Sequence, residues 1–309
     1  MTDLLKNPIF KDETAAREWL EARVWPEGPT CPHCGNANKA KITALQGKAH
    51  RPGLYQCAEC REQFTVTVKT VFERSKIPLT KWLAALFLMT ASKKGVSAHQ
   101  VHRMLGVSYK STWFMMHRLR EAMRSGGLLP PMGHDGGAVE ADETFIGRVK
   151  GVKVKRGGQR HKYPVLTLID RKTGQARSFH IATAVSEDIA PIVRANVSKE
   201  ARLMTDQATW YKKIGKGFAS HETVDHSKDE YVRGEITTNT VESYFSVFKR
   251  GMRGTYQHCA EKHLHRYLAE FDFRYNNRIA LGVNDTMRAE NLATGIVGKR
   301  LTYRRPYQA

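Results

Sequence analysis

Apolar positions recur at two periods along this chain. In residues 237–250 (TTNTVESYFSVFKR) they fall at Val241, Tyr244, Phe245 and Phe248, the spacing of a helix packed on a core. Thr238 or Thr240 is the expected cap. The same period predicts a helix before residue 25, with Ala16, Trp19, Leu20 and Val24 on one side and Trp25-Pro26 ending it. It predicts another in KWLAALFLMTASKK, capped by Thr80, then SAHQVHRMLG, a turn at Gly106-Val107-Ser108, and YKSTWFMMHRLREAMR. Residues 186–197, with Ser186 as cap, and 260–275 complete the helices. Period two marks strands at 63–71, at 138–142 running into an acidic cluster, in a hairpin of 163–169 with 176–181, and at 202–206. Strand, hairpin, helix, strand, helix predicts a mixed α/β sheet with helices on its faces.

The Gly/Pro-rich stretch 125–137 separates this half from the helices before it. The expected organisation is a helical lead-in (1–28), a zinc ribbon (29–75), a helix-turn-helix domain (76–126), a linker (127–137), the α/β domain (138–282) and a basic tail (283–309).

Cysteine spacing explains the second of these modules. Cys31 and Cys34 form one CxxC, Cys57 and Cys60 another. Four thiolates in two such knuckles close the tetrahedral shell of a structural Zn²⁺, and Gly35 suits the tight turn after the first. His33 lies inside a knuckle but is not needed when four cysteines are present. Cys259 is left over and reads as a buried helix residue. Five cysteines without an export signal point to a reducing compartment, and no apolar run is long enough to span a bilayer.

Charge then narrows the partner. Fifty Lys and Arg against thirty Asp and Glu give +20, a surplus that favours nucleic acid. A short helix, a glycine-containing turn and a longer basic helix make a helix-turn-helix pattern. Val101, Leu105, Trp113, Met116 and Leu119 would form its core side. Tyr109, Lys110, Ser111 and Thr112, which open the second helix, would meet DNA together with Arg118. The glycine-rich basic stretch 148–162, with Lys153, Lys155 and Arg156, reads as an exposed turn or arm. Lys249 and Arg250 add charge at the end of the helix that carries Glu242.

Three acids stand out against that basic background. Asp142 and Asp206 sit at or near strand ends and Glu242 on the helix, while Glu140, Glu143 and Asp170 read as solvated or capping carboxylates. If the two strands are neighbours, Asp142, Asp206 and Glu242 converge. Such carboxylates repel unless divalent cations neutralise them. Two Mg²⁺ or Mn²⁺ ions would do so and would suit phosphodiester displacement.

VEADETFIG, LMTDQ and TTNTVESYFSVFKRGMRGTYQH resemble the three blocks of DDE transposases with an RNase H-like fold. The similarity is to zinc-ribbon bacterial insertion-sequence transposases (ISXO2-like, related to Merlin elements), and HLHRYLAEFDFRYNNR resembles that group's closing helix. The resemblance implies Asp142 and Asp206 as metal ligands and Lys249 as the downstream lysine. The third ligand stays open between Glu242, ranked first because a carboxylate binds Mg²⁺ better, and Asn239. Some members of the group carry Asp-Asp-Asn-Lys. The expected activity is cutting of the element's ends and joining of their 3′-hydroxyls to target DNA, by a homodimer or larger assembly in the bacterial cytoplasm, at the nucleoid. The rivals are an RNase H-like nuclease or resolvase without strand transfer, and a non-enzymatic ribbon and helix-turn-helix regulator.

Overall fold

The computed structural model describes residues 6–125, 129–154, 158–225 and 232–302. The chain divides into two compact units, one of residues 1–92, 96–123 and 284–309, the other of 93–95 and 124–283.

The first unit begins with α1 (Glu13–Val24), capped by Asp12 and burying Ala16 and Leu20. A three-stranded antiparallel sheet follows, of β1 (Ile42–Leu45), β2 (Leu54–Cys57) and β3 (Gln63–Phe64). The strand expected over 63–71 stops at Phe64. Thr65, Thr67 and Thr70 turn the chain instead, the Thr65 and Thr67 hydroxyls bonding each other and the Thr70 hydroxyl donating to the Thr67 carbonyl. Three helices come next, α2 (Leu79–Ala91), α3 (Ala98–Leu105) and α4 (Tyr109–Met123). Thr80 does not cap α2. The carboxylate of Glu13, on α1, accepts from the amides of Leu79 and Thr80 and from the Thr80 hydroxyl, so one helix caps another. Ser97 caps α3 through the Gln100 amide, and Gly106 ends it in the left-handed conformation.

The second unit is built on a five-stranded sheet. β4 (Ala138–Ile146) is its centre. β5 (Tyr163–Asp170) pairs with it antiparallel, and β6 (Ala176–His180) pairs with β5 as the expected hairpin. After α5 (Ser186–Asn196), β7 (Arg202–Asp206) lies parallel to β4 on its other side. α6 (Tyr211–Gly215) leads to β8 (Ser220–Val224), parallel to β7. β9 (Val232–Arg233) and β10 (Ile236–Thr237) form a small hairpin before α7 (Asn239–Gly251), and a π-helical turn (Met252–Tyr256) precedes α8 (Glu261–Asn276). The order β6-β5-β4-β7-β8, with one antiparallel half and one parallel half, is the RNase H-like mixed sheet with flanking helices that the resemblance implied.

Alternation along β4 and β5 gives the sheet two apolar faces. Val139, Ala141, Leu166 and Leu168 pack on Ile189 and Val193 of α5 and on Tyr211 and Ile214 of α6. Ile146, Val165 and Ile169 pack on Val241, Tyr244, Phe245 and Phe248 of α7 and on Leu264, Leu268 and Phe271 of α8. α5 keeps its expected span, but Ser186 is not its cap. Its N-cap is Val185, and Asp188 accepts from the Thr183 amide.

The chain then returns to the first unit. Residues expected to be a basic tail open with α9 (Asp285–Thr294), whose Ala289, Leu292 and Ala293 are buried. Its Arg288 guanidinium, also buried, donates to the Thr90 carbonyl at the end of α2. The 289–292–293–296 spacing of Ala, Leu, Ala and Ile is the helical signal in this stretch of the sequence. Among the described residues no helix is long and apolar enough to cross a membrane.

Candidate active site and metal centre

Two clusters of metal-ligand type were expected, and they are built differently. In the ribbon the Sγ atoms of Cys31, Cys34, Cys57 and Cys60 all lie within 4.8 Å of one another. Each CxxC folds into a tight knuckle. The Gly35 amide donates to the Cys31 carbonyl and the Arg61 amide to the Cys57 carbonyl, with Gly35 and Arg61 both at positive φ. The Asn36 side-chain amide donates to Cys57 Sγ at 3.5 Å, which favours the thiolate. Trp25, Tyr55 and Phe64 form an aromatic wall beside the thiols. Four convergent thiols with that support are the donor set of a structural zinc ion.

The acidic cluster comes from three separate elements. β4 and β7 are parallel with Glu140 opposite Met204, an offset of 204 − 140 = 64. Asp142 and Asp206 have the same offset, 206 − 142 = 64, so the register sets them level on adjacent strands. Both point to the sheet face that α7 covers, because they alternate with Ala141 and Leu203, which face α5. Asp206 ends β7 as expected. Asp142 does not end β4, which runs four residues further because β5 still pairs with it as far as Ile146.

Glu242 approaches from α7. The Asp142 carboxyl is held well above the usual carboxylate range, first by burial and then by the negative charges of Glu143, Asp206 and Glu242. The carboxylates therefore share one electrostatic environment. They stay more open than the thiols: among the described residues only the four cysteines bring their ligand atoms within 4.8 Å of one another. Asp206 Oδ1 accepts from the Ala208 amide at 3.0 Å, which fixes its carboxylate at the strand end. Asn239 is the exposed first residue of α7. Lys249, two turns after Glu242, is half-buried with its ammonium 5.9 Å from the Phe245 ring centre. Burial and the charges of Arg253 and Lys162 lower its pKa, while Asp142 and Glu242 oppose them.

Three carboxylates read from the sequence as solvated or capping have defined work here. Glu140 is fully buried and caps α7: its Oε1 accepts from the Thr240 hydroxyl at 2.7 Å and its Oε2 from the Val241 amide at 2.9 Å. Arg171 stands 3.5 Å away. Neither Thr238 nor Thr240 caps the helix by accepting from an amide; Thr237 takes the Asn239 amide instead. Glu143 is not a solvated acid. It accepts from the buried Tyr211 hydroxyl, and burial together with the charge of Asp206 pushes it up to about 7. The run Asp142-Glu143 carried that signal, since one of two adjacent strand residues must face inward. Asp170 is a buried turn cap, accepting from the amides of Gly133, Lys172 and Thr173.

The residues expected to meet DNA divide into two groups. Tyr109, Lys110 and Ser111 are exposed at the start of α4, and Lys153 and Arg250 are exposed in the second unit. Thr112 is buried, with its hydroxyl on the Val107 carbonyl, so it holds the turn rather than facing outward. Arg118 is buried too. It donates to the Glu73 carbonyl and stands over the Trp82 ring, because its position on α4 faces the core of its own unit. Lys155 and Arg156 lie outside the described residues. Cys259 is half-buried in the extended stretch before α8, not in a helix.

Two family models match parts of this chain. Residues 11–63 match the family described as a transposase zinc-ribbon domain, and residues 135–276 match the ISXO2-like transposase domain. A protein of Halobacterium salinarum described as an uncharacterized protein in transposable element ISH50 is 27% identical over 280 residues, covering 86% of this chain and 91% of its own. A solved simian T-cell lymphotropic virus intasome, in complex with PP2A regulatory subunit B56 gamma, is 13% identical with a TM-score of 0.29. It covers 56% of this chain, which spans 63% of that one. With ribbon and acidic domain matched in order to the two domains of one group, the chain belongs to the IS1595-type, ISXO2-like transposases.

Proposed function

We propose that the chain cuts the DNA ends of its own insertion sequence and joins the freed 3′-hydroxyls to target DNA. The observation that carries this is the level placement of Asp142 and Asp206 on β4 and β7, with Glu242 of α7 close enough to raise Asp142. Hard carboxylate oxygens and a surplus of negative charge suit Mg²⁺ or Mn²⁺. Asp142, Asp206 and Glu242 would hold a pair of such ions, which when bound supply Lewis-acid stabilisation to the attacking and leaving oxygens. Glu242 is preferred to Asn239 because its charge reaches Asp142 and Asn239 is exposed at the helix start. Lys249 holds a DNA phosphate on the same side. The ribbon, with Tyr109, Lys110 and Ser111 of α4, binds the terminal repeats. Joining two ends requires two copies of the site, hence at least a homodimer.

The test is strand transfer in vitro with DNA carrying the gene's own flanking repeats, a target plasmid and Mg²⁺, with Asp206→Asn in parallel. Joined products from the native protein alone are expected. Cleavage without joining would identify a nuclease. DNA binding with no cleavage in either Mg²⁺ or Mn²⁺ would overturn the enzymatic reading.

A further inference from the structure

Beside the acidic cluster the second unit holds a cavity of about 220 Å³ that the proposed chemistry does not use. Its floor is apolar and buried, from Ile146, Met252 and Leu264. Its wall includes the half-buried ring of Tyr163, which stands opposite Ile146 in the β4–β5 register. The Tyr163 ring lies against Gly147, where φ is +67° and an added Cβ would come within 3.1 Å of the ring. The backbone there is shaped to let the aromatic sit close. The rim carries two cations, Lys162 and Arg253, and the exposed side-chain amide of Gln257.

Gln257 closes the π-helical turn, its amide donating to the Met252 carbonyl, and it is held at φ 56°. A non-glycine residue in that region is costly and persists where surrounding structure enforces it. Single π-turns of this kind also recur at functional sites.

The cavity is tied to the acids by position and charge. Asp142 and Ile146 are four residues apart on one face of β4, about 13 Å along the strand. Lys249 feels the charges of Arg253 and Lys162 at the cavity as well as those of Asp142 and Glu242. The size limits the occupant. Sites for drug-sized ligands run from roughly 300 Å³ upward, so this cavity holds something smaller. An aromatic wall, an apolar floor, an amide at the rim and cations at the mouth match a flat heterocycle bearing a phosphate.

We propose that this cavity receives one unstacked nucleotide of the DNA end, its base against Tyr163 and its phosphate at Lys162 and Arg253. The proposal rests on the transposase reading of the acids. The nucleotide belongs within about four positions of the cut, since 13 Å is about four base-pair rises. Drawing one base out bends the strand there and fixes the scissile phosphate against the acids.

The experiment uses the full chain and a duplex of the element's own end, with 2-aminopurine substituted singly at four positions on each side of the cut, in the absence of added Mg²⁺. One position should brighten several-fold on binding as its base leaves the stack. Tyr163→Ala should lose that rise, and so should Cys259→Trp, which fills the cavity from a half-exposed loop. Both should bind the duplex within about threefold of the native protein and show its thermal unfolding. With Mg²⁺, Cys259→Trp should cut the intact end at least tenfold more slowly, and an abasic nucleotide at the responsive position should restore its rate. If the native protein cuts and joins while no position brightens, or while the filled variant brightens equally, the pocket assignment is wrong and the transposase reading stands. If the native protein cuts none of these duplexes with Mg²⁺ or Mn²⁺, the transposase reading itself fails.

Discussion

The thiol cluster and the acidic cluster bring charged ligands together by opposite means. In the ribbon, each pair of ligands is three residues apart and a single tight turn positions it. Only the pairing of two knuckles is left to β1 and β2, and the four sulfurs converge within 4.8 Å. In the second unit the ligands are 64 and 36 residues apart, and no turn joins them. Sheet register places Asp142 beside Asp206, and the Glu140 cap on α7 sets where Glu242 can come. The thiols have backbone amides and Asn36 around them. The acids are buried beside one another, and Asp142 and Glu143 are held up first by that burial and then by neighbouring negative charge. The first cluster is a locally folded ligand set; the second is a sheet and a capped helix that hold like charges near one another.

The largest expected effect breaks the comparison at the ribbon. Structural zinc contributes on the order of 10 kcal/mol to domains of this size. Removing it with a strong chelator should therefore abolish hydrogen-exchange protection in β1, β2 and β3. The same treatment should leave protection in β4 and β5 unchanged, because their cohesion comes from apolar faces on both sides of the sheet. Retained protection in β2 would show that the aromatic wall alone holds the ribbon.

The next effect tests the register-and-cap account of the acids. Glu140 touches no other site acid, yet it fixes the helix start one residue before Glu242. Replacing it with Gln presents an amide to two donors and loosens that start. Residues that orient a metal's ligands typically contribute 10–100-fold to affinity or activity. Glu140→Gln should raise the Mg²⁺ concentration for half-maximal cleavage by about that factor, with end-DNA affinity unchanged. A fall in maximal rate with no change in Mg²⁺ dependence would mean that Glu140 only supports the fold.

These two regions also differ in how far they could be read from residues alone. Cys31, Cys34, Cys57 and Cys60 were legible because their geometry is fixed by spacing. Asp142, Asp206 and Glu242 were legible as candidates, since two strands and a helix could be recognised by period. The depth of Asp142 within β4 was not, because strand length there depends on β5 pairing rather than on local pattern. The roles of Glu143 and Glu140 were hidden for the same reason: Tyr211 and Val241 meet them 68 and 101 residues away in sequence. Thr112 and Arg118 were misassigned because position on α4 alone does not say which side the rest of the unit covers. α9 was not legible because the basic residues that follow it, from Lys299, dominate the character of the segment and mask its apolar spacing.

A smaller effect comes from pH. Glu143 titrates at about 7 in the folded chain against 4.5 for the ordinary group. Its contribution is fully present below 4.5 and is lost as pH rises through 7, because ionising it inside the cluster disfavours the fold. A shift of this size is worth about 3 kcal/mol at most, and partial solvent access reduces it to about 2. Without added divalent cation, exchange protection in β5 should fall between pH 5 and pH 8, and Mg²⁺ should restore it more at pH 8. Glu143→Gln should flatten the profile. An equal pH dependence in that variant would move the effect to another group.

The smallest effect returns to the ribbon and asks whether its two knuckles are equivalent. Both use a residue at positive φ after the second cysteine, Gly35 at 79° and Arg61 at 61°. The left-handed region costs a residue with a side chain about 1 kcal/mol, and glycine gives part of that back through the freedom it loses on folding. Nothing lies within 4 Å of a Cβ built at Gly35, so conformation alone decides there. Arg61→Gly should tighten zinc in a chelator competition by less than about fivefold, corresponding to under 1 kcal/mol. Gly35→Ala should weaken it by a similar factor. If Arg61→Gly weakened zinc instead, the arginine side chain would have a role at the second knuckle that backbone geometry does not supply, and the ribbon's self-sufficiency, on which the contrast with the acids depends, would be incomplete.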